Sequence, residues 1–407
     1  MMSNQRQPGF WIPFLLLLAA PAAAQDRAWT AGGEMSTGRY APTATTLKDG
    51  RVLVAGGFDG AECVRSAQLY DPKTDQFTAT GSLVEGRNFA QAVLLDDGTV
   101  LVAGGFDERR GTLGSAEIYD PATGKFRLTR GPMTSPRELF TATKLPGGKV
   151  LLIGGFNTRT GRTLASAEVY DPRTERFTAT GAMRVSRFGH DAVLLPQIVK
   201  VLVVGGQERR REGWITQRTA ELFDVLTGEF TPVADMAHAR DRPTAVWLPS
   251  MGKAMVIGGK GVGPDGAARD VLETECFDPG SATFLPGPKL AHGRMAHTLT
   301  PLPGGRFLLA GGWNVAADRT TETAEILVPE GAGRFEPAGR MARGRHDHAA
   351  AALPDGRVLI VGGKEVDHGK EITNWLALVE RYTPVAAEGA GAPPPQAERS
   401  APPPASE

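Results

Sequence analysis

Apolar residues in this chain come in short runs. Seven of those runs end in a Gly-Gly doublet, from VLVAGG at 52–57 to VLIVGG at 358–363. The second glycines stand at 57, 105, 155, 206, 259, 312 and 363, steps of 48 to 53 residues. A period of that size means that one structural unit recurs. Each unit reads as four short strands. In the first, an alternating run near 40–47 and RVLVAGG at 51–57 flank a turn at Lys48-Asp49-Gly50. A variable loop leads to SAQLY at 66–70, and Asp71-Pro72 turns the chain into a fourth run around Phe77. Proline presets φ in that corner while the aspartate carboxylate accepts a backbone N–H. The corner recurs at Asp120-Pro121, Asp171-Pro172 and Asp278-Pro279.

A large apolar side chain precedes each corner: Tyr70, Tyr119, Tyr170, Phe223, Phe277, Leu327 and Tyr382. Phe77, Phe126, Phe177, Phe230, Phe284 and Phe335 mark six fourth strands. Sheets of four strands, each about five residues long, bury both faces only by packing against one another around an axis. The expected fold is therefore all-β, a seven-bladed propeller over residues 25–385. No aromatic fourth strand follows Thr383-Pro384, whereas Trp29 stands six residues before Met35, as Phe77 does before Leu83. Residues 27–33 are therefore expected to supply the outermost strand of the last blade.

This combination of Gly-Gly, a Tyr-Asp-Pro-like corner and a fourth-strand aromatic resembles the kelch repeat family over about residues 27–385. The resemblance implies a propeller that serves as a binding module or, in some members, an enzyme.

Residues 1–24 read as a cleaved signal peptide. Arg6 precedes an apolar stretch from Phe10 to Ala20, and Ala22-Ala23-Ala24 forms a small-residue cleavage site. A bacterial periplasmic or secreted protein is expected, with no stable membrane insertion after cleavage. Residues 386–407, rich in Ala and Pro, read as a disordered tail.

Composition narrows the function. Lys and Arg number 45 against 45 Asp and Glu, so no net basic field gathers phosphates and a nucleic-acid partner is not expected. The two cysteines, Cys63 and Cys276, fall in blades one and five, too far apart for a disulfide.

An arginine stands four residues after each Met or Leu at the blade junction: Arg39, Arg87, Arg137, Arg187, Arg240, Arg294 and Arg345. These mark the entry to each innermost strand, on the face that also carries the loops after Gly-Gly. Two readings stand: arginines bonded to backbone carbonyls for assembly, or a cationic mouth that binds carboxylates or phosphates. Trp214 and Trp313 in the same loops are candidate contacts, Trp313 also occupying the slot of Phe58, Phe106 and Phe156. His190, His297 and His348 follow their arginines by three residues. They read as structural polar contacts, with His348 retained as a candidate ligand contact; no metal or other cofactor is expected.

Some kelch propellers resemble galactose oxidase, whose copper site needs a tyrosine cross-linked to cysteine, a second tyrosine and two histidines. RHDHAAAALPDGRV at 345–358 is similar to the segment that carries a Tyr-His pair there, but Asp347 precedes His348 here and Cys63 has no cross-link partner. A second resemblance, to bacterial kelch epimerases acting on sialic acid, would have the arginines hold the sugar carboxylate while Glu208, Asp347 or His348 moves a proton. The reading that follows is a monomeric, non-catalytic scaffold. It would bind a protein segment or glycan with acidic groups at the arginine-lined mouth; turnover of an anionic sugar there is the alternative.

Overall fold

The computed structural model describes residues 28–384 except Pro264. The signal peptide and tail expected at 1–24 and 386–407 lie outside the described residues. Seven four-stranded antiparallel sheets form the blades. In blade one the order from the axis outward is Thr43–Thr46, Val52–Ala55, Ala67–Asp71 and Gln76–Ala79. Blades two to six repeat that order.

Blade seven takes Ala349–Ala352, Val358–Val361 and Val379–Tyr382 from the end of the chain and Trp29–Ala31 from its beginning. Trp29 pairs with Tyr382 in register, their ring centroids are 5.2 Å apart, and the Trp29 indole N–H donates to Ala338 O of blade six at 2.6 Å. The expected closure by the N-terminal strand is thus present, and it ties blade seven to blade six.

The four residues that precede each Gly-Gly doublet are apolar because both faces of a blade are covered there. Val150, Leu151, Leu152 and Ile153 are all buried, as are their counterparts except the half-buried Phe307. Separate apolar clusters fill the spaces between successive blades; one joins Leu47, Leu53 and Leu69 of blade one to Val100, Val102 and Tyr119 of blade two. Corner and fourth-strand aromatics pair, Tyr119 and Phe126 at 4.7 Å between ring centroids.

Each Gly-Gly doublet lies where adjacent blades meet. Both glycines have φ between +61° and +109°, a region that costs any other residue. A Cβ on Gly258 would sit 2.6 Å from Arg294 O, so glycine is required by closeness as well as by torsion. The second glycine's N–H donates to the backbone carbonyl of the next blade's entry arginine. Gly57 to Arg87 at 2.8 Å opens that series, and Gly363 to Arg39 at 2.7 Å closes it.

In blades two to seven the loop between strands two and three rises as a hairpin, so that one face of the ring carries a crown. Hairpins of blades six and seven merge into a further four-stranded sheet through Arg319 and Asp367.

Candidate functional site

All seven entry arginines are buried, none more than 1 % exposed. The expected cationic mouth is corrected by this placement. Arg39, Arg87, Arg137, Arg187, Arg240, Arg294 and Arg345 do not face a ligand; each guanidinium is used inside its own blade. Arg294 Nη1 donates to Gly311 O at 2.7 Å and Thr323 O at 3.0 Å, while Nη2 donates to Thr323 Oγ1 at 3.0 Å and Glu325 Oε1 at 2.9 Å. Charge pairing explains how such groups are tolerated in the interior.

The partner carboxylates are Glu117, Glu168, Glu221, Glu275, Glu325 and Glu380, all buried in third strands. Each also accepts N–H groups of the segment entering its blade, as Glu117 does from Val84 at 2.7 Å and Glu85 at 3.1 Å. Sequence reasoning missed this acid ring. Its signal is an acid two residues before the corner residue in six repeats, where blade one has Gln68. Arg39 accordingly has no buried carboxylate at hand, and burial drives its pKa down to about 10.

His348 is corrected on the same grounds. It is 6 % exposed, its Nε2 lies 2.9 Å from Thr298 Oγ1, and its ring lies over Gly311. His190 and His297 make the same contact with Thr141 and Thr244. Burial, followed by the neighbouring arginine charge, pushes both down to about 3, so they are neutral at ordinary pH.

What closes the mouth is the set of residues two places after the entry arginines: Ala41, Phe89, Leu139, Gly189, Arg242, Ala296 and Asp347. All have φ between +47° and +61°. Their backbones hydrogen-bond from blade to blade, for example Ala41 N to Asp347 O at 2.9 Å and Arg242 N to Gly189 O at 2.9 Å. That belt holds the non-glycine members in a left-handed conformation they would otherwise leave.

Arg242, from blade five, reaches across the axis. Its Nη1 pairs with both Asp347 oxygens of blade seven at 2.8 and 2.6 Å, and its guanidinium lies 5.3 Å from the Phe89 ring of blade two. Asp347 also accepts from the Tyr40 hydroxyl at 3.1 Å and contacts His346 Nδ1 at 2.8 Å. Burial alone would raise the Asp347 pKa, but the Arg242 charge, with His346, holds it well below the usual carboxylate range. Burial and the Asp347 charge keep the Tyr40 proton on. Beside this group Glu138, 6 % exposed, accepts from Thr112 Oγ1 at 3.3 Å, and burial raises its carboxyl to about 7.

Around that floor stand half-buried aromatics. Trp313 meets His346 and His368 edge-on at 5.8 and 5.4 Å, and Trp375 meets Phe58 at 6.2 Å. Trp214 differs: 51 % exposed, it stands on Phe156 and Phe188 at 5.5 and 5.2 Å with the Arg209 guanidinium 5.5 Å from its ring. Glu208, the other acid considered for proton transfer, is committed to Arg210 and Ser186. Of the sequence candidates, Trp214 and Trp313 lie on the crown face.

The Kelch motif matches residues 39–83, 90–131 and 146–184, the first three repeats. No curated protein matches the chain. Among solved structures, a fungal alcohol oxidase with catalytic diversity in the AA5 family, in complex with copper, has a TM-score of 0.64. It is 16 % identical and the match covers 88 % of this chain and 76 % of that one. At that identity the likeness concerns the fold. The axial residues here do not fit a copper ion: Tyr40 and His346 are both engaged by Asp347, and His348 lies in a blade interface. Cys63 Sγ lies 3.2 Å from both Phe106 O and Glu108 Oε1, which share its S–H.

Proposed function

We propose that this chain, a kelch-repeat β-propeller, is an exported, non-catalytic scaffold whose crown face binds a partner carrying acidic groups. Export is read from residues 1–24. The observation that carries the binding reading is Trp214, an exposed aromatic on a hairpin, braced from below by two phenylalanines and flanked by Arg209. A rigid aromatic with a guanidinium beside it provides apolar area and charge at small entropic cost. The face around it is basic. Arg159, Arg162, Arg209 and Arg211 belong to the hairpins of blades three and four, and none has a carboxylate within 4.0 Å among the described residues.

Replacing Trp214 and Arg209 together by alanine is expected to abolish binding of fluorescein-labelled poly-glutamate and of polygalacturonate, read by anisotropy, while the melting temperature stays within a few degrees. Unchanged binding by the double variant would remove this reading. Turnover of an anionic sugar draws on one observation, Glu138, whose carboxyl titrates near neutrality beside the Arg242 charge. Incubation with sialic and uronic acids, followed by NMR for epimerisation that Glu138→Gln abolishes, would favour the enzyme.

A further inference from the structure

The crown is a nearly complete ring of contacts between neighbouring loops. Cys63 N of blade one donates to Glu108 Oε2 of blade two at 2.8 Å. Thr112 and Thr158 exchange hydrogen bonds between blades two and three, and Arg209 N of blade four donates to Thr163 Oγ1 of blade three at 2.9 Å. Asp270 of blade five accepts from Val315 N and Ala316 N of blade six at 3.0 Å. Blade six joins blade seven strand to strand, and Trp375 of blade seven packs on Phe58 of blade one.

One junction departs from this. Among the described residues, no hydrogen bond, ion pair or ring contact joins the hairpin of blade four (Gln207–Arg210 and Gly213–Thr216) to that of blade five (Lys260–Val262 and Ala268–Asp270). The two form separate two-stranded sheets. Elsewhere the second strand of one hairpin meets the first strand of the next, so Gly213–Thr216 presents an open edge toward blade five, whereas across the gap Lys260 already bonds Asp241 through its backbone N–H and C=O. These two strands carry apolar side chains that stand in solvent: Ile215 at 38 % and Val262 at 46 % exposed, and Trp214 at 51 %, whose ring leans on Phe156 of blade three. An unpaired, apolar strand edge is costly to leave open and is ready to accept a further strand.

We propose that this gap takes an extended peptide segment of a partner protein, which adds as a strand to the open edge of Gly213–Thr216. The inference rests on the binding role proposed above and names its partner as a peptide. Blades six and seven provide the precedent within the molecule, since there the neighbouring hairpin occupies the corresponding place. Main-chain hydrogen bonds would supply affinity and alternate side chains specificity. Apolar side chains of the segment would meet Trp214, Ile215 and Val262. Its carboxylates would meet Arg211 on one rim and Arg269 on the other, neither of which has a carboxylate partner among the described residues.

The probe is a fluorescein-labelled ten-residue peptide of alternating Glu and Val, tested on the full chain by anisotropy. A second peptide carries N-methyl groups on alternate residues, which keeps the side chains and removes strand pairing. Binding of the first peptide should be weakened roughly tenfold or more by Trp214→Ala and similarly by Arg211→Glu, an exposed change that leaves the fold intact. The N-methylated peptide should not bind, and amide hydrogen exchange across residues 213–216 should slow when the first peptide is present. Equal binding of both peptides overturns strand addition and leaves an acidic-ligand face standing. No binding of either, with polygalacturonate still bound in a Trp214-dependent way, overturns the peptide partner alone. Loss of every probe overturns both readings.

Discussion

Replacing Arg294 by methionine removes the guanidinium and keeps most of the apolar stem. Four hydrogen bonds go, and Glu325, 3 % exposed, keeps the Ala291 and His292 amides at 3.0 and 3.3 Å and the His292 imidazole Nδ1 at 3.7 Å, with no permanent countercharge. Leaving one member of a buried pair without its countercharge costs about 3–5 kcal/mol. Blade one supplies the internal control. Arg39 donates to Gly56 O, Ser66 O and Ser66 Oγ at 2.9, 2.7 and 2.8 Å, but the acid's place is held by neutral Gln68. Arg39→Met therefore orphans acceptors and no charge, a loss of about 1–3 kcal/mol. The two variants are expected to differ by about 2 kcal/mol, read as urea midpoints at pH 7 with unchanged slope. Adding Glu325→Gln to Arg294→Met should recover most of that difference. If Arg39→Met is as damaging as Arg294→Met, or the second substitution recovers nothing, the pairing account of the ring is wrong.

Trp29→Ala should cost about 3–5 kcal/mol, since its ring and indole N–H hold the closing strand to Tyr382 and Ala338; removal of residues 388–407 should leave the melting temperature unchanged. Acid should act through the interface histidines. His297 is held down to about 3 in the fold, so below its unfolded value of 6.5 the unfolded chain binds the extra proton, and stability falls as pH falls. Between pH 7 and pH 5 that amounts to about 2 kcal/mol per histidine, and His297→Phe, the residue type at the equivalent Phe140, should flatten the urea midpoint over that range accordingly. Glu138, raised to about 7, and Asp191, raised to about 6, act in the opposite direction over the same range, because there the folded state holds their protons; Glu138→Gln should therefore steepen the fall on acidification. Asp347→Asn leaves Arg242 at the axis without its countercharge and should lower the melting temperature by several degrees, whereas Asp347→Asn with Arg242→Gln should restore most of it.

Architecture was legible in the sequence because its causes are local and repeated. A doublet that demands positive φ reports each blade, an Asp-Pro corner in four repeats and a fourth-strand phenylalanine in six support it, and seven doublets report the ring. Trp29 announced closure because it keeps the same six-residue distance to Met35 that Phe77 keeps to Leu83. The entry arginines were equally visible, yet their role was not, since a guanidinium at the mouth and one turned into the blade have the same sequence spacing. Only the folded chain brings Glu325 of a third strand beside Arg294, 31 positions away, and that decides burial over display.

The same holds for the axis and the crown. Arg242, Asp347, Tyr40 and Phe89 come from four blades and meet because ring closure brings the blade entries, three of these residues in left-handed conformation, to one axis. The open edge of Gly213–Thr216 exists because the neighbouring hairpin stands away from it. Repetition along the chain thus determined the fold, whereas the candidate binding surface depends on contacts between blades, where side chains distant in sequence either pair with one another or remain open to a partner.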